Sequence, residues 1–308
     1  GEPLSHPRIV EMVAATAALG GRVELITNAT LLTPEMSRRL IAAGLFRLWV
    51  SLDGARPESY ADVRLGAALP AVLANLAAFR AARRVSHWSL PEIGIAFVAM
   101  QRNIADLPEL MRLGRHLGAT RFMVTNLLPH TEEMRAEILY GRALSEISYI
   151  PSPIVPHVNL AKMDINETTG GVLYDVLRSN RNVTFAGSDL SGSSDRCPFI
   201  EQGAAVVGWD GGFSPCLPLL HSYTSFLDHR KRHSRCYTVG DIAERDLGAL
   251  WGNAGHRDFR ERVRRFDFAP CTFCGGCELS YANEEDCYGN GFPTCGGCLW
   301  AQGIIQCP

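Results

Sequence analysis

The chain has 308 residues, of which 46% are hydrophobic, so it is long enough for two domains and can bury a sizeable core. Its 30 basic and 32 acidic residues leave a formal net charge of −2, without the positive excess that phosphate binding wants, which argues against a bulk nucleic-acid binder. Apolar runs such as 94–100 stop far short of the roughly 18 residues of a membrane span, so no membrane protein is expected.

The first residue is Gly1, and the chain starts inside a motif, so it reads as a piece of a longer protein. Apolar Ile9, Val10, Val13, Ala14 and Ala17, at three- and four-residue steps, predict a helix over 7–19 that Gly20 and Gly21 stop. A short strand follows over 23–26. Thr33 then reads as the cap of a helix with Pro34 at its first position and Gly44 beyond its end. Strands at 46–52, 93–99 and 122–126 alternate with helices at 69–83 and 107–117. Such alternation predicts a parallel sheet with crossover helices. Ligands bind such sheets at the carboxyl ends of the strands, where Glu2, Thr27, Asn28, Ser51, Asp53, Asn103 and Asn126 stand. Singly, each reads as a turn former or a small strand residue; on successive strands they mark a shared ligand site.

The ten cysteines are all in the back of the chain. None occurs in the first 196 residues, and seven fall in the last 38: Cys271, Cys274, Cys277, Cys287, Cys295, Cys298 and Cys307. Cys197, Cys216 and Cys236 precede them. C-x-x-C steps let two thiolates turn toward one ion or one cluster face, so metal is favoured over disulfides. Spacing alone leaves zinc and iron–sulfur open, because both accept four thiolates. Nine thiols (all but Cys236) would serve two four-iron clusters.

Gly1-Glu2-Pro3, then Thr27 and Asn28 within 26–33, then Ser51 and Asp53 within 51–60 followed by Arg64, together resemble the radical S-adenosylmethionine (SAM) family. The resemblance implies that the Gly-Glu-Pro segment binds the SAM amino group. Ser51 and Arg64 would hold its carboxylate, and Asp53 would face the ligand. The residue types suit those tasks, since arginine clamps carboxylates bidentately and a glutamate accepts from an ammonium. The Thr-Asn-Gly segment of the family has Ala29 in the glycine's place here. Cys197 and Cys216 around Gly211, then 237–242, Leu250-Trp251 and Cys271-x-x-Cys274, are similar to the SPASM extension that carries auxiliary clusters. The family's later pattern is C-x2-C-x5-C-x3-C and a last cysteine. This chain inserts Cys277 and Cys287 and has Cys295-Gly-Gly-Cys298, which leaves open how the cysteines divide between clusters. The tail over 283–303 looks like the subgroup of cofactor-modifying proteins of tungsten-containing aldehyde ferredoxin oxidoreductases.

What the resemblance implies is an α/β fold. An incomplete parallel (β/α)6 barrel lacking its first βαβ unit would span 1–130, a connecting segment 131–190, and a loop-rich SPASM domain 191–308. The implied cofactors are SAM and auxiliary [4Fe–4S] clusters. The C-x3-C-x2-C that holds the SAM-cleaving cluster does not occur in the chain, so that cluster is expected in a longer parent, and the chain alone is expected to be inactive. The implied partners are a client aldehyde ferredoxin oxidoreductase or its tungsten cofactor, and an electron donor such as ferredoxin or flavodoxin. A sulfatase or ribosomal-peptide maturase, or a non-catalytic metal module, is the alternative. Thiolate-ligated clusters suit a reducing interior, so cytoplasm is expected. Elsewhere, Arg257, Arg260, Arg262, Arg264 and Arg265 read as a solvated helix face and 228–235 as a basic loop. Glu284, Glu285 and Asp286 read as a turn that positions Cys287.

Overall fold

The computed structural model describes residues 1–63, 68–85, 90–141, 163–179, 196–227, 230–274 and 277–307. The chain divides into two compact units. One comprises 1–125, 165–181 and 307–308, and the other comprises 126–164 and 182–306.

In the first unit, helices α1 (Ile9–Ala18), α2 (Pro34–Ala42), α3 (Pro57–Val63), α4 (Leu69–Val85) and α5 (Leu107–His116) alternate with strands β1 (Glu24–Thr27), β2 (Arg47–Ser51), β3 (Glu92–Ala99) and β4 (Arg121–Asn126). The sheet order is β1-β2-β3-β4. Strands β1 and β2 pair parallel from Glu24 opposite Arg47 to Thr27 opposite Val50, and β2 and β3 pair parallel from Arg47 opposite Glu92 to Ser51 opposite Ala96. The elements form where the apolar period changes. Three-residue and four-residue steps build the helices, and the continuous apolar runs of β2 and β3 suit strands covered on both faces. Thr33 caps α2 as its position demands, its hydroxyl accepting the Met36 N–H at 3.1 Å. Leu48, Val50, Leu76, Phe79, Ile93, Ile95 and Phe97 form the core, each at most 1% exposed. Every such side chain contributes about 1.5–3 kcal/mol. The ring of Trp49 lies on Gly94, its partner across the sheet, where any side chain would collide with it. At the opposite end from the site, Arg47 ties three strands, bonding Glu24 at 2.6 Å and Glu92 at 2.7 Å.

Two features of this unit were not anticipated. Helix α3 follows the strand-end segment directly, with Pro57 opening it and Tyr60 fully buried. Helix α6 (Gly170–Ser179), inside the stretch expected to be a connector, packs on α5.

The second unit is built from short pieces: α7 (Pro198–Glu201), β5 (Val206–Val207), β6 (Gly212–Ser214), β7 (Tyr223–Leu227), β8 (Arg230–Ser234), β9 (Gly240–Asp241), α8 (Leu247–Trp251), α9 (Ala254–Arg265) and α10 (Cys271–Cys274). Strands β5, β6 and β9 make one small antiparallel sheet, and β7 and β8 make a hairpin. That hairpin corrects the expected basic loop, of which 228 and 229 lie outside the described residues. Period-two alternation along β8 sends Arg230, Arg232 and Ser234 to one side, and Arg232 and Ser234 are buried. The arginine helix also departs from expectation. Arg260 is buried, with its guanidinium 4.0 Å from the centre of the Trp251 ring. Arg262 turns to the protein and donates to the carbonyls of Gly291 at 2.9 Å and Pro293 at 2.7 Å. Among the described residues, no helix is long and apolar enough to cross a membrane.

Candidate functional site

The first candidate site lies at the carboxyl ends of the strands in the first unit. Glu2 caps a 3-10 turn at Pro3–Ser5. Its Oε1 accepts the Leu4 N–H at 3.0 Å and the Thr27 hydroxyl at 2.6 Å, and its Oε2 accepts the Asn28 N–H at 2.9 Å. A carboxylate offers about four acceptor positions, so three donors leave Oε2 room for one more. Thr27 is buried, and its hydroxyl accepts the Ala29 N–H at 2.9 Å. Asn28 holds the following turn, its Oδ1 accepting from the Thr30 N–H at 2.9 Å and the Thr30 hydroxyl at 2.6 Å. Ala29 has φ +58°, the left-handed region where a glycine costs nothing and an alanine is strained. Gly1 is exposed, while Glu2, Pro3, Asn28 and Ser51 are half-buried.

Asp53 follows β2 directly after Leu52. It is 2% exposed, and its Oδ1 accepts the Val98 N–H at 2.9 Å. The chain turns inward here because Leu52 extends the β2 ladder by donating to Ala96 O at 3.0 Å. Asn103 locks this corner. Its Nδ2 donates to Asp53 O at 3.0 Å and Val98 O at 2.9 Å, and its Oδ1 accepts the Met100 N–H at 2.8 Å. Asp106, which sequence reading passed over, braces the next turn by accepting from the Ala55 N–H at 2.9 Å and from the Ser59 hydroxyl. Asn126 is likewise buried, its amide donating to Ile304 O at 2.8 Å. Arg64 lies outside the described residues.

The second candidate site is built from thiols. Cys197, Cys216 and Cys295 are buried in one apolar cluster with Phe259, Val263 and Phe268, and Cys298 packs against it. The four line a single cavity of about 50 Å³ together with Tyr223 and Arg232. Burial pushes the Cys197 thiol up to about 11, and the neighbouring Cys298 adds to the rise. Burial raises Cys216 and Cys295 well above the ordinary thiol range, again reinforced by the other thiols of the set. This mutual influence is the electrostatic mark of four acidic groups held close together. Arg262 presents Cys295 by fastening the preceding loop at Gly291 and Pro293.

A second set gathers around Cys271 at the start of α10. Burial raises its thiol first, Arg232 opposes the rise, and Asp286, Cys287 and Cys277 add to it. Cys277 and Cys287 are exposed. Cys274 closes α10, with its side chain outside the described residues. Asp286 is the turn-maker expected beside Cys287, its carboxylate accepting the N–H groups of Ala269 at 3.1 Å, Tyr288 at 3.0 Å and Asn290 at 3.1 Å. Cys236 is exposed, and Cys307 packs with the first unit. Among the described residues, no three His, Cys, Asp or Glu side chains form a group that could hold a single metal ion. Four thiols around one small cavity in an apolar cluster fit the Cys-only donor set of a [4Fe–4S] cluster.

These features coincide with known families. Residues 1–113 match the model of the radical SAM superfamily, and residues 197–278 match that of the SPASM iron–sulfur cluster-binding domain. The chain belongs to the radical SAM superfamily and carries a SPASM domain, which implies SAM and [4Fe–4S] clusters as cofactors. It is 30% identical, over its whole length and 81% of the relative's, to the tungsten-containing aldehyde ferredoxin oxidoreductase cofactor-modifying protein of Pyrococcus furiosus. Over 42% of its length it is 36% identical to the AdoMet-dependent heme synthase of Methanosarcina barkeri, of which it covers 35%. The fold resembles that of Streptococcus suis SuiB bound to S-adenosylmethionine, at a TM-score of 0.54 and 16% identity, covering 94% of this chain and 60% of SuiB. The chain thus spans less than two-thirds of two of these three proteins.

Proposed function

We propose that the chain forms part of a radical SAM maturase that modifies the tungsten cofactor, or a peptide, of an aldehyde ferredoxin oxidoreductase. Likeness to the Pyrococcus furiosus protein over the whole chain, cysteine-rich tail included, is the observation that carries this reading. When bound beside a reduced cluster, SAM would supply hydrogen-abstracting radical chemistry. The chain's own residues bind and orient. Glu2 would accept the SAM ammonium, and the Leu4 N–H, the Thr27 hydroxyl and the Asn28 N–H hold its carboxylate still for that task. Ser51 and Arg64 take the SAM carboxylate, and Asp53 with Asn103 fixes the corner that carries Ser51.

In the second unit, Cys197, Cys216, Cys295 and Cys298 hold one auxiliary cluster, and Cys271, Cys274, Cys277 and Cys287 hold another. Burial that raises the first set's thiols also disfavours their thiolates, so the metal must displace the protons as it binds. Anaerobic reconstitution of this chain with iron and sulfide should yield about eight irons per chain. Four or fewer would sink the two-cluster reading. The client assignment is tested by producing an aldehyde oxidoreductase with and without the cluster-loaded maturase. Mass spectrometry of its cofactor and peptides should differ between the two, and an unchanged client refutes the assignment.

A further inference from the structure

Arg232 sits between the two thiol sets. It lines the cavity of Cys197, Cys216, Cys295 and Cys298, and also a second, smaller recess with Cys271, Thr272 and Ser280. Its guanidinium lies flat against the Cys295-Gly-Gly-Cys298 loop, so close that a Cβ on Gly297 would stand 2.5 Å from its Cζ. On the other side, its Nη1 donates to Ser280 O at 2.5 Å, in the turn that follows Cys277. Among the described residues this is the guanidinium's sole hydrogen bond, and no Asp or Glu pairs with it. A buried guanidinium without a carboxylate is costly to maintain. The acidic groups that face it are the thiols of Cys271, Cys295 and Cys298 and the phenol of Tyr223, and their charge opposes the fall that burial imposes on its pKa. Thiolates bound to iron would supply the missing negative charge on both sides.

We propose that Arg232 is a positioning residue whose fixed positive charge is shared by both auxiliary clusters and raises the reduction potential of each. Uptake of one electron adds a negative charge to a cluster, and a nearby guanidinium in a low-dielectric interior favours that form. The proposal rests on the two-cluster reading above. Neighbouring cations do not duplicate the arrangement. Lys231 points to the exposed face of β8. Arg230 lines only the recess beside Cys271, where it bonds the Cys271 and Thr272 carbonyls, and Arg262 is tied to the carbonyls of Gly291 and Pro293.

The test is a dithionite titration of the reconstituted chain, followed by electron paramagnetic resonance, for wild type, Arg232→Lys, Arg232→Met and Lys231→Met. Arg232→Met should lower the potentials of both clusters, each by at least a tenfold change in its reduction equilibrium, about 59 mV for a one-electron couple. Arg232→Lys should stay much closer to wild type, and Lys231→Met should match it. Unchanged potentials in Arg232→Met, a change in one cluster only, or equal shifts in the Lys and Met variants overturn the proposal. Should Arg232→Met fail to retain iron, retention by Arg232→Lys supports the need for charge, and equal loss from both variants refutes it. Fewer than two clusters in the wild type refutes the two-cluster reading itself, and the proposal falls with it.

Discussion

The corner locked by Asn103 offers the sharpest test of how the first unit positions its site. Asn103 is 1% exposed and serves three backbone groups, Asp53 O, Val98 O and Met100 N–H. Replacing it with alanine strands all three. Asp53 and Met100 are buried, so their orphaned groups cost about 2 kcal/mol each, while the half-buried Val98 carbonyl turns to water at about 0.5 kcal/mol. The expected loss is therefore about 4.5 kcal/mol, near the upper range for a single substitution. Asn103→Asp keeps the acceptor for Met100 but sets an oxygen against two carbonyls, so it should be no milder. Urea unfolding gives the total, and amide hydrogen exchange at Met100 reports the corner itself. A loss below about 1 kcal/mol, or a Met100 amide as protected as in wild type, would refute this account.

Removing one thiol from each set tests their division. Cys216→Ser should cost about four irons while leaving the Cys271 set loaded, and Cys287→Ser should do the reverse; loss of all iron from either variant would contradict two separate sites. At the far end of the sheet, Arg47 holds the Glu92 carboxyl below the usual glutamate range. A lowered folded pKa gives stability that is present above the unfolded value, about 4.3, and lost as pH falls through the folded one. Glu92→Gln should therefore flatten the acid limb of the stability curve by up to about 1 kcal/mol, and an unchanged limb would exclude the pair as a contributor. Ala29 is fully buried and left-handed. Ala29→Gly relieves about 1 kcal/mol of strain but loses a buried methyl and chain stiffness of similar size, so melting should barely move. Ala29→Val should destabilise by at least about 2 kcal/mol, and equal tolerance of both would mean the backbone there is not left-handed.

Much of the first unit was legible because its helices and strands each carry one clear period, and because Gly20, Thr33 and Gly44 punctuate them. Helix α3 escaped because seven residues after a motif show no sustained period. The strand-end residues were legible as a group but not as individuals. The same sequence logic leaves Glu2 and Asn28 half-buried and places Asp53 and Asn103 inside, and the hydrogen bonds to Val98 and Met100 mark the difference. The cysteines could be counted but not sorted, since C-x-x-C spacing is the same in both sets. Their sorting depends on α9 and the hairpin, which bring Cys197 and Cys216 to Cys295. The inward role of Arg232 did leave a trace, the alternation of Arg230, Arg232 and Ser234 with Lys231 and His233, which goes unseen when the segment is taken as a loop.

The two thiol sets also differ in how much polypeptide each encircles. Cys271 to Cys287 come from one short stretch, so on the proposed two-cluster reading a cluster held there would close only a small loop. Cys197 and Cys216 must wait for Cys295 and Cys298, near the opposite extremity of their unit, and closing so long a loop carries a larger entropic cost. On the proposed two-cluster reading, metal bound there would clasp the beginning of the unit to its end.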